Sequence, residues 1–252
     1  MFSLKTRRLL RWLLPAAALL TAAAVLAALF FTGVLKLNTP SRERYPVRGV
    51  DVSSWQGEID WPTLAGQGLS FAFIKATEGS GFTDPRFSYN WEEARKTALR
   101  VGAYHFFSYD SPGETQADNF IAAVPREPGA LPPVVDVEFY GDKAADPPAA
   151  ADVHPQLDAL LRRLEAHYGV RPILYATGKA YRLYLEGRYD DYDLWIRDVY
   201  FTPSLPASHP WTFWQHADNA RLQGYTGREP CIDMNVFSGT PEEFAAYVGV
   251  PA

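Results

Sequence analysis

The sequence predicts an α/β domain that closes into a barrel of about eight strands with five to six helices, preceded by one transmembrane helix. Two observations predict the barrel: strand and helix patterns alternate along residues 47–252, and the strands are short apolar runs ending in polar or aromatic residues. The transmembrane helix is indicated by an uncharged apolar run near the N-terminus. With 252 residues, 47% hydrophobic and 21% charged, the chain is long and apolar enough for one large folded domain.

The N-terminal 46 residues divide into three predicted segments. Residues 1–11 form a basic flank that is expected to stay in the cytoplasm. Residues 12–35 are uncharged and long enough to span a bilayer as an anchor, and residues 36–46 form a linker. The domain at 47–252 would then lie outside the cytoplasm, in the periplasm or at the cell surface. Small residues at 22–24 and 27–28 leave open a cleaved signal peptide and a secreted protein, but the length of the run favours the anchor.

Charge and cysteine content exclude several functions. Residues 1–48 carry eight Lys/Arg and one Asp/Glu, whereas residues 49–252 carry 16 Lys/Arg and 28 Asp/Glu. An acidic domain is a poor binder of nucleic acid. A single cysteine, Cys231, excludes a disulfide within the chain, and the histidines lack metal-ligand spacing. We therefore expect no cofactor and no metal. The sequence gives no indication of the oligomeric state.

Eight strands are predicted along the domain, each a short run rich in β-branched, aromatic or other apolar residues. They lie at 47–53, 69–76, 100–107, within 131–141, and at 172–176, 193–196, 212–216 and 232–237. Helices are predicted from 59 and at 88–99, 114–124, 153–168, 179–185 and 241–248. Asp60 and Thr240 are expected to cap helix N-termini, and Gly169 to end the longest helix. The alternation favours a parallel sheet, and eight strands favour a closed barrel.

The strand within 131–141 carries the chemistry. Asp136 and Glu138 are two residues apart, so on a strand their side chains share one face. Two carboxyls this close cannot both ionise freely, and one pKa should rise. A protonated carboxyl beside an ionised one is what glycoside hydrolysis requires. Taken alone, the motif is equally compatible with two solvated acids at a strand end.

Polar and aromatic residues at the other strand ends are candidates for the same site, because barrel enzymes act at the C-terminal ends of their strands. These residues are Asp51, Glu78, Tyr104, His105, Tyr175, Trp195, Trp214, Gln215 and Asp233. Ordinary packing explains any one of them better than it explains the whole set. For His105 packing is the more frequent role. For Trp195 and Trp214, walls of a sugar-binding cleft and core packing both remain open.

Seven motifs occur in a fixed order along the domain. They are Gly49-Val50-Asp51-Val52-Ser53, Ile74-Lys75-Ala76-Thr77-Glu78-Gly79, Gly102-Ala103-Tyr104-His105-Phe106, Asp136-Val137-Glu138, Leu194-Trp195-Ile196, Phe213-Trp214-Gln215 and Ile232-Asp233-Met234-Asn235. In these motifs the chain resembles the glycoside hydrolase family 25 lysozymes, the Chalaropsis-type N-acetylmuramidases, over about residues 47–250.

The resemblance implies an irregular, flattened TIM-like β/α barrel. It also implies cleavage of the β-1,4 bond between N-acetylmuramic acid and N-acetylglucosamine in peptidoglycan glycan strands. By position, Glu138 corresponds to the general acid and Asp136 to its partner, with Asp51 and Asp233 as the other acidic members. The family mechanism implies retention of configuration with the substrate acetamido group as nucleophile.

Some features of this chain depart from the family pattern. Arg197, Asp198 and His216 stand where other residues are usual, so subsite preference is open. A catalytically silent, membrane-anchored glycan-binding domain on the same scaffold is the alternative function. The presence of all four acids favours the enzyme. A chitin-cleaving hexosaminidase is less favoured, because the longer acidic run of that class is missing.

Overall fold

The computed structural model describes residues 4–32, 34–35 and 38–252. The predicted N-terminal segments fall partly outside these residues, at 1–3, 33, 36 and 37. The chain divides into two units, Met1–Thr39 and Pro40–Ala252. The first contains helix α1, Leu4–Phe31, in which Trp12–Phe30 is apolar and long enough to cross a membrane and has no buried residues. A membrane anchor and a signal sequence both fit this helix.

The second unit, described throughout, is built on nine strands. They are β1 (Arg48–Val52), β2 (Phe71–Glu78), β3 (Phe82–Thr83), β4 (Arg100–Phe106), β5 (Val134–Val137), β6 (Ile173–Thr177), β7 (Leu194–Arg197), β8 (Phe213–Ala220) and β9 (Ile232–Phe237). Eight of them form a closed ring in the order β1-β9-β8-β7-β6-β5-β4-β2, because β1 pairs with both β9 and β2. Strand β3 forms a hairpin with β2 outside the ring. The predicted eight-stranded barrel is confirmed.

One strand runs against the others. Strand β9 is antiparallel to β8 and to β1, whereas the remaining neighbours in the ring are parallel. The parallel arrangement that the alternation favours therefore does not extend to β9. Strands β8 and β9 are joined by a loop at 221–231 with no crossover helix, and such a connection produces an antiparallel pair. As a result, the N-terminal end of β9 reaches the rim where the other strands end.

Six helices follow α1. They are α2 (Trp61–Ala65), α3 (Phe87–Ala94), α4 (Gly113–Ala123), α5 (Ala150–Tyr168), α6 (Gly178–Ala180) and α7 (Pro241–Ala246). A 3-10 turn at Ser54–Gln56 and a π-helical turn at Tyr181–Leu185 complete the set. The expected caps are present, since the Asp60 and Thr240 side chains accept hydrogen bonds from backbone N–H groups of the first turns of α2 and α7. Helix α3 ends about one turn earlier than predicted.

Side chains alternate between the inside and the outside of the barrel along each strand. Phe71, Phe73, Val134 and Phe213 belong to an interior cluster, whereas their chain neighbours pack outward against the helices. Gly102 faces inward, where an added Cβ would lie 2.7 Å from the Phe73 ring. The large interior rings need this space. These rings fill the barrel interior beneath the C-terminal ends of the strands.

Candidate active site

The inward-facing positions at the C-terminal rim of the barrel carry polar side chains in place of rings. They are Asp51, Lys75, Tyr104, Asp136, Tyr175, Arg197, Gln215, Asp233 and Asn235. Glu138 follows β5 by one residue and continues the inward face of Asp136. The barrel therefore brings together the four acids that the sequence singled out. For Asp233 this depends on the reversed direction of β9, which pairs Asp233 with Asp51 across the two strands.

Two side-chain amides hold Asp51 and Asp233 together. Gln215 Nε2 donates to Asp51 Oδ2 and to Asp233 Oδ2, at 2.9 Å in each case. Asn235 Nδ2 donates to the same Asp51 oxygen at 2.8 Å. Since both carboxyl oxygens approach one nitrogen, the two acids form a tight pair. Asp51 receives more hydrogen bonds and is the member better suited to carry charge.

The amides are themselves fixed from below. Tyr175 donates its hydroxyl proton to Gln215 Oε1 at 2.9 Å, and Trp195 Nε1 donates to Asn235 Oδ1 at 2.8 Å. These bonds set the amide orientation, so that each amide nitrogen points toward the carboxylates. Trp195 and Tyr175 thus act through the amides. Sequence reasoning assigned no role to Asn235, although it lies two residues from Asp233 on the same strand face.

Burial raises the pKa of both Asp51 and Asp233. Loss of hydration raises the pKa of Asp233 to about 9, and the neighbouring charge of Asp51 adds to the rise. Burial also raises the pKa of Asp51, but the hydrogen bonds from Asn235 and Gln215 oppose that rise. The pair therefore retains a proton at neutral pH, and Asp233 holds it.

Asp136 and Glu138 form the second acid pair. Asp136 is buried, and its pKa lies well above the usual range because of burial and then because of the Glu138 charge. Burial also raises the pKa of Glu138, while the charge of Arg197 opposes the rise. Among the described residues, Asp136 Oδ1 has no hydrogen-bond partner. The sequence predicted that one pKa of this pair should rise; both are raised, and the stronger rise is at Asp136.

Two cations limit the negative charge at the rim. Lys75 Nζ lies 2.7 Å from Glu78 Oε2, and its charge lowers the pKa of both Asp136 and Glu138. Arg197 Nη2 lies 2.7 Å from Asp218 Oδ2. Sequence reasoning gave Lys75 no role, although a lysine two residues after the inward Phe73 of an apolar strand is a usable signal. Glu78 ends β2, rather than following it as expected.

The structure places His105 and Trp214, two of the candidate site residues, away from the inward-facing polar set. Each lies on the outward face of its strand, next to an inward site residue. His105 is fully buried between Thr77 Oγ1 and Gln116 Oε1, at 2.7 and 3.1 Å, and burial lowers its pKa to about 4. Trp214 is 1% exposed and donates from Nε1 to the Asp198 carbonyl at 2.9 Å.

Trp195 faces inward but lies too deep to form a wall of the cleft. Its side chain is 2% exposed and stacks on Phe73, with ring centroids 4.5 Å apart. Trp195 is therefore not part of the exposed surface that lines the cleft. Tyr175 is also almost fully buried, whereas Tyr104 keeps some exposure at the cleft. Burial raises the pKa of both tyrosines well above the usual value, so both hydroxyls stay neutral donors.

A concave surface opens above the Asp51/Asp233 pair. It is lined by Asp51, Val52, Ser53, Trp55, Gln56, Tyr104, Asp218, Glu229 and Asp233. Trp55 was missed at the sequence level because it follows its strand in a turn, where strand periodicity gives no information. Another cavity, of about 350 Å³, lies at the opposite pole of the barrel, beside Leu131 and Val170. None of the four site acids lines it.

A β/α barrel with paired carboxyls at its rim fits a glycoside hydrolase, and comparison with known proteins gives the family. Residues 50–225 match glycosyl hydrolases family 25. The chain is 37% identical over 209 residues to the uncharacterized protein YegX of Escherichia coli K12, covering 81% of this chain and 74% of that protein. It is 32% identical over 217 residues to lysozyme M1 of Streptomyces globisporus, covering 79% and 70%.

A solved structure is also similar. A family 25 glycosyl hydrolase from Bacillus anthracis superposes with a TM-score of 0.78 at 53% identity, covering 83% of this chain and 97% of that one. The chain therefore belongs to glycosyl hydrolases family 25, and it is a glycoside hydrolase of the lysozyme type.

Proposed function

We propose that the protein is a muramidase that hydrolyses the β-1,4 bond between N-acetylmuramic acid and N-acetylglucosamine in peptidoglycan. The observation that carries the proposal is the Asp136/Glu138 pair at the C-terminal rim, where burial raises the pKa of both carboxyls and the Glu138 charge raises that of Asp136 further. The lysozyme named among the relatives supports peptidoglycan as the substrate.

In the proposed mechanism Glu138 is the general acid. It is the more exposed member of the pair, so it can approach a glycosidic oxygen in the cleft. When glycan binds, the shared proton resides on Glu138 and passes to the leaving oxygen as the C1–O bond breaks. The ionised Glu138 then serves as the base that activates water in the second step.

Asp136 assists the nucleophile. In our proposal the acetamido oxygen of the sugar attacks C1, while Asp136 accepts a hydrogen bond from the acetamido N–H and stabilises its developing positive charge. Water then opens the cyclic intermediate from the face that the leaving group occupied, so configuration is retained. Asp51 adds negative charge on the far side of the barrel mouth, and Asp233 keeps that charge in place by sharing a proton with it.

We also propose that residues 12–35 anchor the domain at 47–252 to the outer face of a membrane. The apolar helix Trp12–Phe30 and the basic residues before it support this arrangement. Cleavage within the segment would give a secreted enzyme with the same activity.

The experiment is product analysis with detergent-solubilised full-length protein and purified peptidoglycan. After borohydride reduction, mass spectrometry distinguishes a new muramic acid end from a new glucosamine end. We expect reduced muramic acid ends from the wild type and a rate roughly 10²–10⁴-fold lower for Glu138→Gln. Glu92→Gln on the exposed face of α3 is the matched control. Reduced glucosamine ends would refute the proposed bond, and binding without any product would favour the silent domain.

A further inference from the structure

Trp55 is the exposed tryptophan of the domain. It is 60% exposed, whereas the other five tryptophans in residues 40–252 are buried or half-buried. An indole left in water gives up the stabilisation that burial would provide, so such exposure beside a cleft calls for an explanation. The ring lines the concave surface that also contains Asp51, Tyr104 and Asp233.

The backbone of Trp55 is held rigidly while its ring is free. Ser53 and Gln56 form a reciprocal capping box around the turn. Ser54 N donates to Asp84 Oδ2 at 3.0 Å, and the Trp55 carbonyl accepts from Glu229 N at 3.2 Å. A fixed backbone reduces the conformational entropy lost when a ligand covers the ring.

The loop between β8 and β9 supports this turn from behind. Gly227 packs so closely that an added Cβ would lie 2.1 Å from the Trp55 carbonyl oxygen. Gly57 meets it from the other side in a left-handed conformation, with φ at 70°. Two glycines at one backbone crossing allow the loop and the turn to touch, and the contact fixes where the indole stands.

The ring order shows where Trp55 stands relative to the acid. Trp55 follows β1, whereas Glu138 follows β5, and strands β2 and β4 lie between them. Neighbouring strands are about 4.8 Å apart, so three inter-strand spacings, roughly 14 Å along the ring, separate the ends of β1 and β5. This separation exceeds the length of one sugar ring, which favours different sugars for Trp55 and Glu138.

We propose that the Trp55 indole is a stacking platform for the apolar face of a pyranose ring in the glycan strand, beyond the disaccharide at the scissile bond. This proposal rests on the proposed muramidase function. It replaces Trp195 and Trp214 as the aromatic wall of the cleft. The chemistry suits the ligand, because a sugar ring presents axial C–H groups to an aromatic face while its hydroxyls stay hydrated.

The test compares binding of short and long glycans. Isothermal titration uses detergent-solubilised full-length Glu138→Gln protein with peptide-free peptidoglycan oligosaccharides, from the disaccharide to the octasaccharide. We expect Trp55→Ala to weaken octasaccharide binding roughly 10-fold and disaccharide binding by less than about twofold. Trp55→Phe should recover most of the affinity. Val248→Ala, which removes a 71% exposed side chain at the opposite pole, is the matched control.

Kinetics on the active enzyme provide a second measurement. Loss of a remote contact should raise KM for long strands, with kcat and the shape of the pH profile unchanged. Gly227→Ala should raise KM in the same way, because it displaces the support of the indole. If the Trp55→Ala variant and the protein with Trp55 intact bound glycans of every length with equal affinity, the proposal would be overturned. A loss confined to kcat would also overturn it. Absence of muramidase products from the unmutated enzyme would instead overturn the proposed function.

Discussion

Replacing Asp233 with asparagine should make the protein more stable at neutral and alkaline pH. Burial and the Asp51 charge raise the pKa of Asp233 to about 9, so the folded protein keeps a proton that the unfolded chain releases near pH 4. A group with a raised folded pKa contributes its full stability below the unfolded pKa, and this contribution is lost as pH rises toward the folded pKa. Asparagine resembles the protonated carboxyl and does not titrate. It can still accept the Gln215 hydrogen bond.

The size of the effect follows from the two pKa values. At pH 7 keeping Asp233 protonated in the folded state would cost at most about 4 kcal/mol of stability, and at pH 5 at most about 2 kcal/mol. Asp233 keeps some solvent exposure, and solvent screening reduces these limits. We expect the stability difference between Asp233→Asn and the wild type to grow by about 1 kcal/mol from pH 5 to pH 7. For a domain of this size that corresponds to a change in Tm of roughly 2–5 °C.

Thermal melts followed by tryptophan fluorescence at pH 5, 6, 7 and 8 measure this difference. Asp146→Asn, in an exposed loop, is the control and should melt like the wild type at every pH. The other buried acids titrate in both proteins, so the comparison isolates Asp233 and its coupling to Asp51. A Tm difference that is constant across the pH range would refute the shared-proton description. A difference that shrinks as pH rises would refute its sign.

Three further outcomes are expected. Lys75→Met should move the alkaline limb of a bell-shaped pH–rate profile upward, because it removes a charge that lowers the pKa of Asp136 and Glu138; an unmoved limb would show that Lys75 does not act on the pair. Trp214→Ala should destabilise the domain by about 3–5 kcal/mol in a denaturant titration without weakening glycan binding by the folded fraction. Full-length protein should fractionate with membranes, and a soluble mature form that begins after residue 24 or 28 would show a cleaved signal.

The order of elements in the domain was accessible from the sequence because each strand is a short apolar run between turn signals. The eight ring strands were placed to within a few residues. The direction of β9 was not accessible, since an apolar run reads the same in either direction. Helix α3 was predicted to run to residue 99 but ends at Ala94; Ala98 is exposed, and Leu99 is buried after the helix has ended.

Side chains alternate between the inside and the outside of the barrel along each strand, and this alternation explains which of the expected site residues the structure brings together. Tyr104 and Gln215 face inward, whereas their neighbours His105 and Trp214 face outward and are covered by helices or loops. The motifs Tyr-His and Trp-Gln gave no reason to choose between adjacent residues. The inward Phe73, two residues before Lys75, would have fixed the parity of β2.

The sequence also did not provide the burial of each inward-facing side chain, and burial determines the role of Trp195. Its inward direction alone would make Trp195 a site residue, because it lies beside Tyr175 inside the barrel. The indole is nevertheless almost fully buried, where Phe73 stacks on it and Asn235 accepts its N–H. A Trp195→Phe variant should therefore release Asn235 and weaken its hold on Asp51. The expected result is a shifted pH–rate profile with unchanged KM for long glycans, the reverse of the pattern expected for Trp55→Ala. An increase in KM with an unshifted profile would place Trp195 in the cleft and contradict its assignment as a buried residue that orients Asn235.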